Sequence, residues 1–207
     1  MAMLGPARNQ DLRACFVGDS FVVGVGDSAH QGWVGRVAAQ AEADGFALTT
    51  YNLGVRRDTS ADIVRRLYPE CACRLRLCDW RLLVLAFGVN DVTSDIGAVP
   101  EADTRRHTAD LLVQAGGLAD CVLLIGPTPI QDPSKNVAIA ARSAAIATVA
   151  RDYGIPYLEI FPLLIQDPAW MRALAAGDGS HPSAPGYACM AEHILTWDLW
   201  PLRSVPP

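Results

Sequence analysis

The chain has 207 residues, 51% of them hydrophobic, and a formal net charge of −5. That length holds one well-buried α/β domain and is short for two, so residues 1–207 read as a single domain and global disorder is excluded. The acidic balance argues against a surface for nucleic acid or anionic membrane, and no apolar stretch approaches the roughly 18 residues of a membrane span.

Short apolar runs alternate with helical periodicity along the chain, the signature of βα repeats. Ala14-Cys15-Phe16-Val17 reads as a buried strand running into Gly18-Asp19-Ser20. Glycine there lets the backbone leave the strand sharply, which would stand Ser20 at the carboxyl edge of a sheet. A polar, Gly-rich loop continues through His30. Trp33, Val34, Val37, Ala38 and Ala41 then recur at helical spacing, and Gly45 ends that helix. Ala47 to Tyr51 is a second strand, closed by Asn52-Leu53-Gly54. Thr59-Ser60-Ala61-Asp62 resembles a capping box, with Ile63, Leu67 and Cys71 following on one helical face.

Leu82 to Gly88 is apolar without alternation, as expected for a strand buried on both faces, and it runs into Val89-Asn90-Asp91. A helix over Asp103 to Ala115 stops at Gly116-Gly117. Cys121 to Gly126 is a fourth strand, ended by Pro127-Thr128-Pro129. Asn136 to Asp152 is helical, and Pro156 to Ile160 is a fifth strand. Pro162 to Ala176 reads as irregular or weakly helical and leads to the loop Gly177-Asp178-Gly179-Ser180-His181-Pro182. A last helix begins near Ser183, and Pro201 to Pro207 reads as a loose tail.

Five mostly parallel strands with intervening helices predict an α/β fold, a three-layer α/β/α sandwich. Right-handed crossovers place every carboxyl end on one edge, so Ser20, Gly54 and Asn90 would meet in one crevice. The Asp178–His181 loop can reach the same edge. A carboxylate on one imidazole nitrogen fixes the tautomer and leaves the other nitrogen to take a serine proton. Gly54 can offer a backbone N–H, and Asn90 an amide NH₂, to a developing oxyanion. Taken singly, Ser20 could cap a helix, His181 could cap or pack beside Pro182, Asp178 could be a turn residue and Asn90 could hold its own loop. Asp19 reads as structural, bonding the turn that presents Ser20.

Gly18-Asp19-Ser20, Gly54, Gly88-Val89-Asn90-Asp91 and Asp178-Gly179-Ser180-His181 resemble, in order, the four blocks of the GDSL or SGNH hydrolase superfamily. Tyr51 to Ser60 is similar to the corresponding stretch of its small bacterial esterases. The resemblance spans Val17 to about Tyr187. It implies a flavodoxin-like sheet of order 2-1-3-4-5, with Ser20 as nucleophile, His181 as base and Asp178 as its partner. It further implies an oxyanion hole built from the N–H groups of Ser20 and Gly54 and the Asn90 side chain.

Two positions depart from the family pattern. Phe21 stands in place of leucine, which changes no chemistry. Arg57 stands where a second glycine is common. Arg56 and Arg57 are candidate substrate-binding residues that would narrow the cleft or hold an anionic group. The commoner use of such residues is pairing with Asp58, Asp62 or other surface carboxylates.

Other motifs weigh little. Cys71, Cys73 and Cys78 lack zinc spacing and a matching Cys or His pair, so no metal site is read. Gly24 to Ala29 fits the dinucleotide fingerprint, yet the strand ends too early, and Gly26-Asp27-Ser28 repeats the tripeptide in mid-loop. No Gly-x-Ser-x-Gly elbow occurs. His30, His107 and His193 read as loop or helix-surface residues.

The function expected is a serine esterase or acylhydrolase acting on small esters, thioesters or acetylated sugars, with no cofactor. A long-chain thioesterase or lysophospholipase would need an apolar groove, for which Phe21, Ile130, Trp170 and Met171 are the available residues. A non-catalytic binding protein of the same fold is the other alternative. The expected partner is a small-molecule ester, with no nucleic acid and no membrane span, and a homo-oligomer is left open. Without a signal-like start at Met1–Arg8, and with thiols that read as reduced, the expected location is cytoplasmic.

Overall fold

The computed structural model describes residues 5–94 and 97–203. Five parallel strands, β1 (Leu12–Gly18), β2 (Leu48–Gly54), β3 (Trp80–Ala86), β4 (Cys121–Ile125) and β5 (Tyr157–Leu158), form one sheet in the order β2-β1-β3-β4-β5. The register aligns Gly18 with Gly54 on one side and with Ala86 on the other. The ends of β1, β2 and β3 therefore lie level at one edge. This register is what brings their following loops together.

Alternate residues of the central strands feed two cores. Ala14 and Phe16 of β1 pack with α2 (Gly32–Ala43), α7 (Ile160–Ile165), α8 (Pro168–Ala175) and α9 (Ala184–Leu195). Cys15 and Val17 face the other way, onto α3 (Ser60–Ala72), α5 (Glu101–Gly116) and α6 (Pro133–Asp152). Period-2 side chains on a sheet covered on both faces give this division directly. Leu82, Leu83, Val84 and Leu85 are fully buried, as a run without alternation requires. Two further helices of four residues, α1 (Ser20–Val23) and α4 (Asn90–Thr93), follow β1 and β3 at the carboxyl edge.

Several local expectations are corrected. Pro162 to Ala176 forms two helices. Asp167 caps α8 by accepting the Ala169 N–H at 2.7 Å, and Pro168 takes the first-turn position where its missing N–H is harmless. β5 is shorter than the predicted Pro156–Ile160, because Ile160 already opens α7. The start of the expected loose tail is anchored, since Leu202 is fully buried in the core beside Trp200. The rest of that tail, residues 204–207, lies outside the described residues. Among the described residues, no helix is long and apolar enough to cross a membrane.

Candidate active site

Ser20 is the first residue of α1. Asp19 caps that helix, its Oδ1 accepting the Phe21 N–H at 3.0 Å, and Gly24 closes it in the left-handed conformation. A Cβ at position 18 would stand 1.9 Å from the Ala86 carbonyl oxygen, so only glycine lets β1 turn this close to β3. The turn thus fixes where the Ser20 hydroxyl emerges. Burial pushes the Asp19 carboxyl up to about 7; the Phe21 N–H opposes this, while Asp91 and Asp58 add to it. Asp19 is a structural residue of the turn, as expected.

Ser20 Oγ lies 2.8 Å from His181 Nε2, and His181 Nδ1 lies 2.8 Å from Asp178 Oδ2. The other Asp178 oxygen, Oδ1, accepts the backbone N–H groups of Ser180 at 2.9 Å and His181 at 2.7 Å. Desolvation works against ionisation here. The His181 backbone N–H, its ring and the Ser180 N–H outweigh it and hold the Asp178 carboxyl at about 2. An ionised carboxylate only accepts, so Nδ1 carries a proton and Nε2 is left as the acceptor for the Ser20 hydroxyl. The loop is tethered by the Gln131 N–H, which donates to the Gly179 carbonyl at 2.7 Å. The Phe21 ring packs on the imidazole with centroids 5.3 Å apart.

Asn90 opens α4 at the end of β3. Its Nδ2 donates to the Asp58 carbonyl at 2.9 Å, and the nearest acceptor for its second hydrogen, Asp19 Oδ2, is 3.5 Å away. That hydrogen is only weakly engaged.

The expectation for Gly54 is corrected. Its N–H is occupied by Asn52 Oδ1 at 3.0 Å, and it does not line the cleft around Ser20. A Cβ there would meet Val23 N at 2.2 Å and Asp19 O at 2.8 Å. Gly54 is needed so that α1 can lie on the end of β2. Arg56 reaches the cleft, and so does Arg57, three positions after Gly54, at φ 72°. This explains why a glycine is common there: the backbone adopts the left-handed region that side chains disfavour. Among the described residues, no group accepts the backbone N–H of Ser20 or of Arg57.

The cleft has a volume of about 320 Å³ and is lined by Ser20, Asn90 and His181 together with Arg56, Arg57 and Lys135. Phe21 and Ile130 contribute apolar wall. Trp170 and Met171 do not line it. Trp170 is fully buried, stacked on Phe21 and donating from Nε1 to the Pro129 carbonyl at 3.1 Å, and Met171 packs against the core. The apolar groove proposed for long chains is not formed by these four residues.

Three residues were not anticipated. Arg66 donates to the carbonyls of Gly18 at 2.8 Å and Leu53 at 2.9 Å, and pairs with Asp58 at 2.5 Å. It ties the ends of β1 and β2 to the residue whose carbonyl holds Asn90. Asp91, fully buried, accepts from the Ser60 N–H at 2.7 Å and the Thr104 hydroxyl at 2.6 Å, anchoring the loop that carries Asn90. Lys135 enters from the first turn of α6. The helix expected from Asn136 in fact begins at Pro133, so Lys135 lies inside its first turn.

The repeated tripeptide has a structural job. Asp27 accepts the N–H groups of Ala29 and Gly32 at 2.9 Å each and pairs with Arg36 at 2.6 Å. One group of metal-ligating side chains occurs among the described residues, Asp167, Cys189 and His193, with ligand atoms within 4.8 Å of one another. There the Cys189 thiol donates to Asp167 Oδ2 at 2.9 Å while Oδ1 caps α8, so the carboxylate is already used. Burial and that carboxylate push the thiol up to about 12.

The sequence pattern of the GDSL-like Lipase/Acylhydrolase family matches residues 16–189. No curated protein matches the chain. Among solved structures, LAE5, an alpha/beta hydrolase enzyme from the metagenome of Lake Arreo, Spain, is 18% identical over 93% of this chain and 96% of that one, with a TM-score of 0.76. The lipase/acylhydrolase from Enterococcus faecalis is 24% identical over 88% and 92%, with a TM-score of 0.73. Axe2, an acetylxylan esterase from Geobacillus stearothermophilus, is 19% identical over 94% and 95%, also at 0.73. Catalytic mutants of Axe2 replace a serine, an aspartate and a histidine. At these identities the structures speak for the fold, and the family pattern, covering most of the chain, speaks for the class: the protein belongs to the GDSL-like lipase/acylhydrolase family of ester-bond hydrolases.

Proposed function

We propose that the protein is a serine esterase that cleaves small carboxylic esters, thioesters or acetylated sugars through an acyl-enzyme on Ser20. The observation that carries this reading is the continuous chain of hydrogen bonds from Asp178 through His181 to Ser20. Ser20 Oγ attacks the carbonyl carbon while Nε2 of His181 takes its proton, and Asp178 stabilises the imidazolium that forms. The oxyanion is met by the N–H groups of Ser20 and Arg57 and by the weakly engaged hydrogen of Asn90. His181 then protonates the departing alcohol or thiol, and a water, deprotonated by the same nitrogen, releases the acyl group. A cleft of about 320 Å³ lies at the small end of ligand sites and suits short acyl chains. The acetylxylan esterase of the same fold makes acetyl esters a reasonable first test. Turnover of p-nitrophenyl acetate should fall by several orders of magnitude in Ser20→Ala. Retained turnover would refute the assignment.

A further inference from the structure

Arg56, Arg57 and Lys135 surround the cleft, and all three are exposed. Among the described residues, none of the three side chains has a carboxylate partner. The pairing expected from sequence is taken by other arginines, Asp58 by Arg66 and Asp62 by Arg65. Among the described residues, Asp178 holds His181, and Asp132 accepts the Ser134 hydroxyl at 2.6 Å and its N–H at 2.9 Å; Asp132 is close enough for the Lys135 charge to help lower its carboxyl, but the two form no ion pair.

Two of the three cations stand where local physics disfavours them. Arg57 occupies a left-handed backbone position at φ 72°, a conformation that side chains rarely adopt. Lys135 lies in the first turn of the 20-residue helix α6, where the helix dipole repels positive charge. In a chain of net charge −5, this concentrates three cations without an ion-pair partner among the described residues on one opening.

Resting on the assignment of Ser20 as nucleophile, we infer that the natural substrate is an ester bearing an anionic group, a carboxylate or phosphate, held by Arg56, Arg57 and Lys135. The guanidinium groups suit planar oxyanions through paired N–H donors, and the ammonium adds a point charge.

The test compares kcat/KM for two pairs of esters that differ chiefly by one carboxylate. One pair places the charge on the acyl side, mono-p-nitrophenyl succinate against p-nitrophenyl butyrate. The other places it on the alcohol side, 3-acetoxybenzoate against phenyl acetate. Preference for the anionic member of either pair by about tenfold or more, the size expected from a few exposed charge pairs, supports the inference and says which side carries the charge. The preference should shrink with added salt and reverse in the Arg56→Glu/Lys135→Glu double variant. Hydrolysis of neutral esters, dependent on Ser20 but with no anionic preference in either pair, overturns the inference and leaves the esterase assignment standing. No hydrolysis of any of the four, together with no fluorophosphonate labelling of Ser20, overturns both.

Discussion

The carboxylate of Asp178 binds His181 twice, Oδ1 accepting its backbone N–H at 2.7 Å and Oδ2 facing its Nδ1 at 2.8 Å. One side chain therefore sets both the loop geometry and the ring orientation. The carboxylate is held at about 2, below its ordinary value of 3.8, so its contribution to stability is present above that ordinary value and is lost as pH falls toward 2. Its side chain is 52% exposed, so this term is small. The expected catalytic effect is large. Asp178→Asn should lower kcat by about 10⁴-fold with the fold intact, since the amide favours the wrong tautomer. Steady-state kinetics beside a circular dichroism spectrum checks this.

The proposed mechanism makes Asn90 the side-chain donor of the oxyanion site. Asn90→Ala should lower kcat by about 10²–10³-fold with a much smaller change in KM. An effect on KM alone would assign Asn90 to holding the Asp58 carbonyl.

The left-handed backbone at Arg57 can be tested by stability. Arg57→Gly and Arg57→Ala both remove the side chain, and only glycine tolerates φ 72° without strain. The glycine variant should be more stable than the alanine variant by about 1 kcal/mol in urea unfolding. Equal stability would mean that the loop relaxes.

Asp19 gives a pH dependence of opposite sign to that of Asp178. Its carboxyl is raised from 3.8 to about 7 in the folded protein, chiefly by burial. The folded state holds that proton more tightly, so the stabilisation is complete below about 3.8 and is lost as pH rises through about 7. Asp19→Asn mimics the protonated acid. Wild-type stability relative to this variant should decline between about pH 4 and pH 7 and level off above that. A constant difference across that range would contradict the buried, protonated carboxyl.

Most of the architecture could be read from local pattern. Leu82 to Ala86 is unmistakable as a buried strand because it is apolar without alternation, and parallel crossovers follow from the helices between strands. Ser20, Asp178 and His181 are singled out by four short blocks in order, since each alone also reads as a cap or turn residue. Gly54 was misjudged. Its need for glycine is real, but it comes from the back of the α1 turn, a contact that letters do not show. An arginine at position 57 gives no hint of a positive φ. Arg66 reaches across to Gly18, a partner no local spacing predicts. Pro162 and the shortness of α7 hid a helical segment, and Leu202 is buried by a core whose packing only the tertiary fold reveals.

The central claim is that Ser20 is an activated nucleophile. Intact-mass measurement after exposure to a fluorophosphonate tests it most directly. One adduct per chain, mapped to Ser20, absent in Ser20→Ala and slowed by orders of magnitude in His181→Ala, is the result predicted. An unmodified protein, or an adduct that persists in Ser20→Ala, would contradict it.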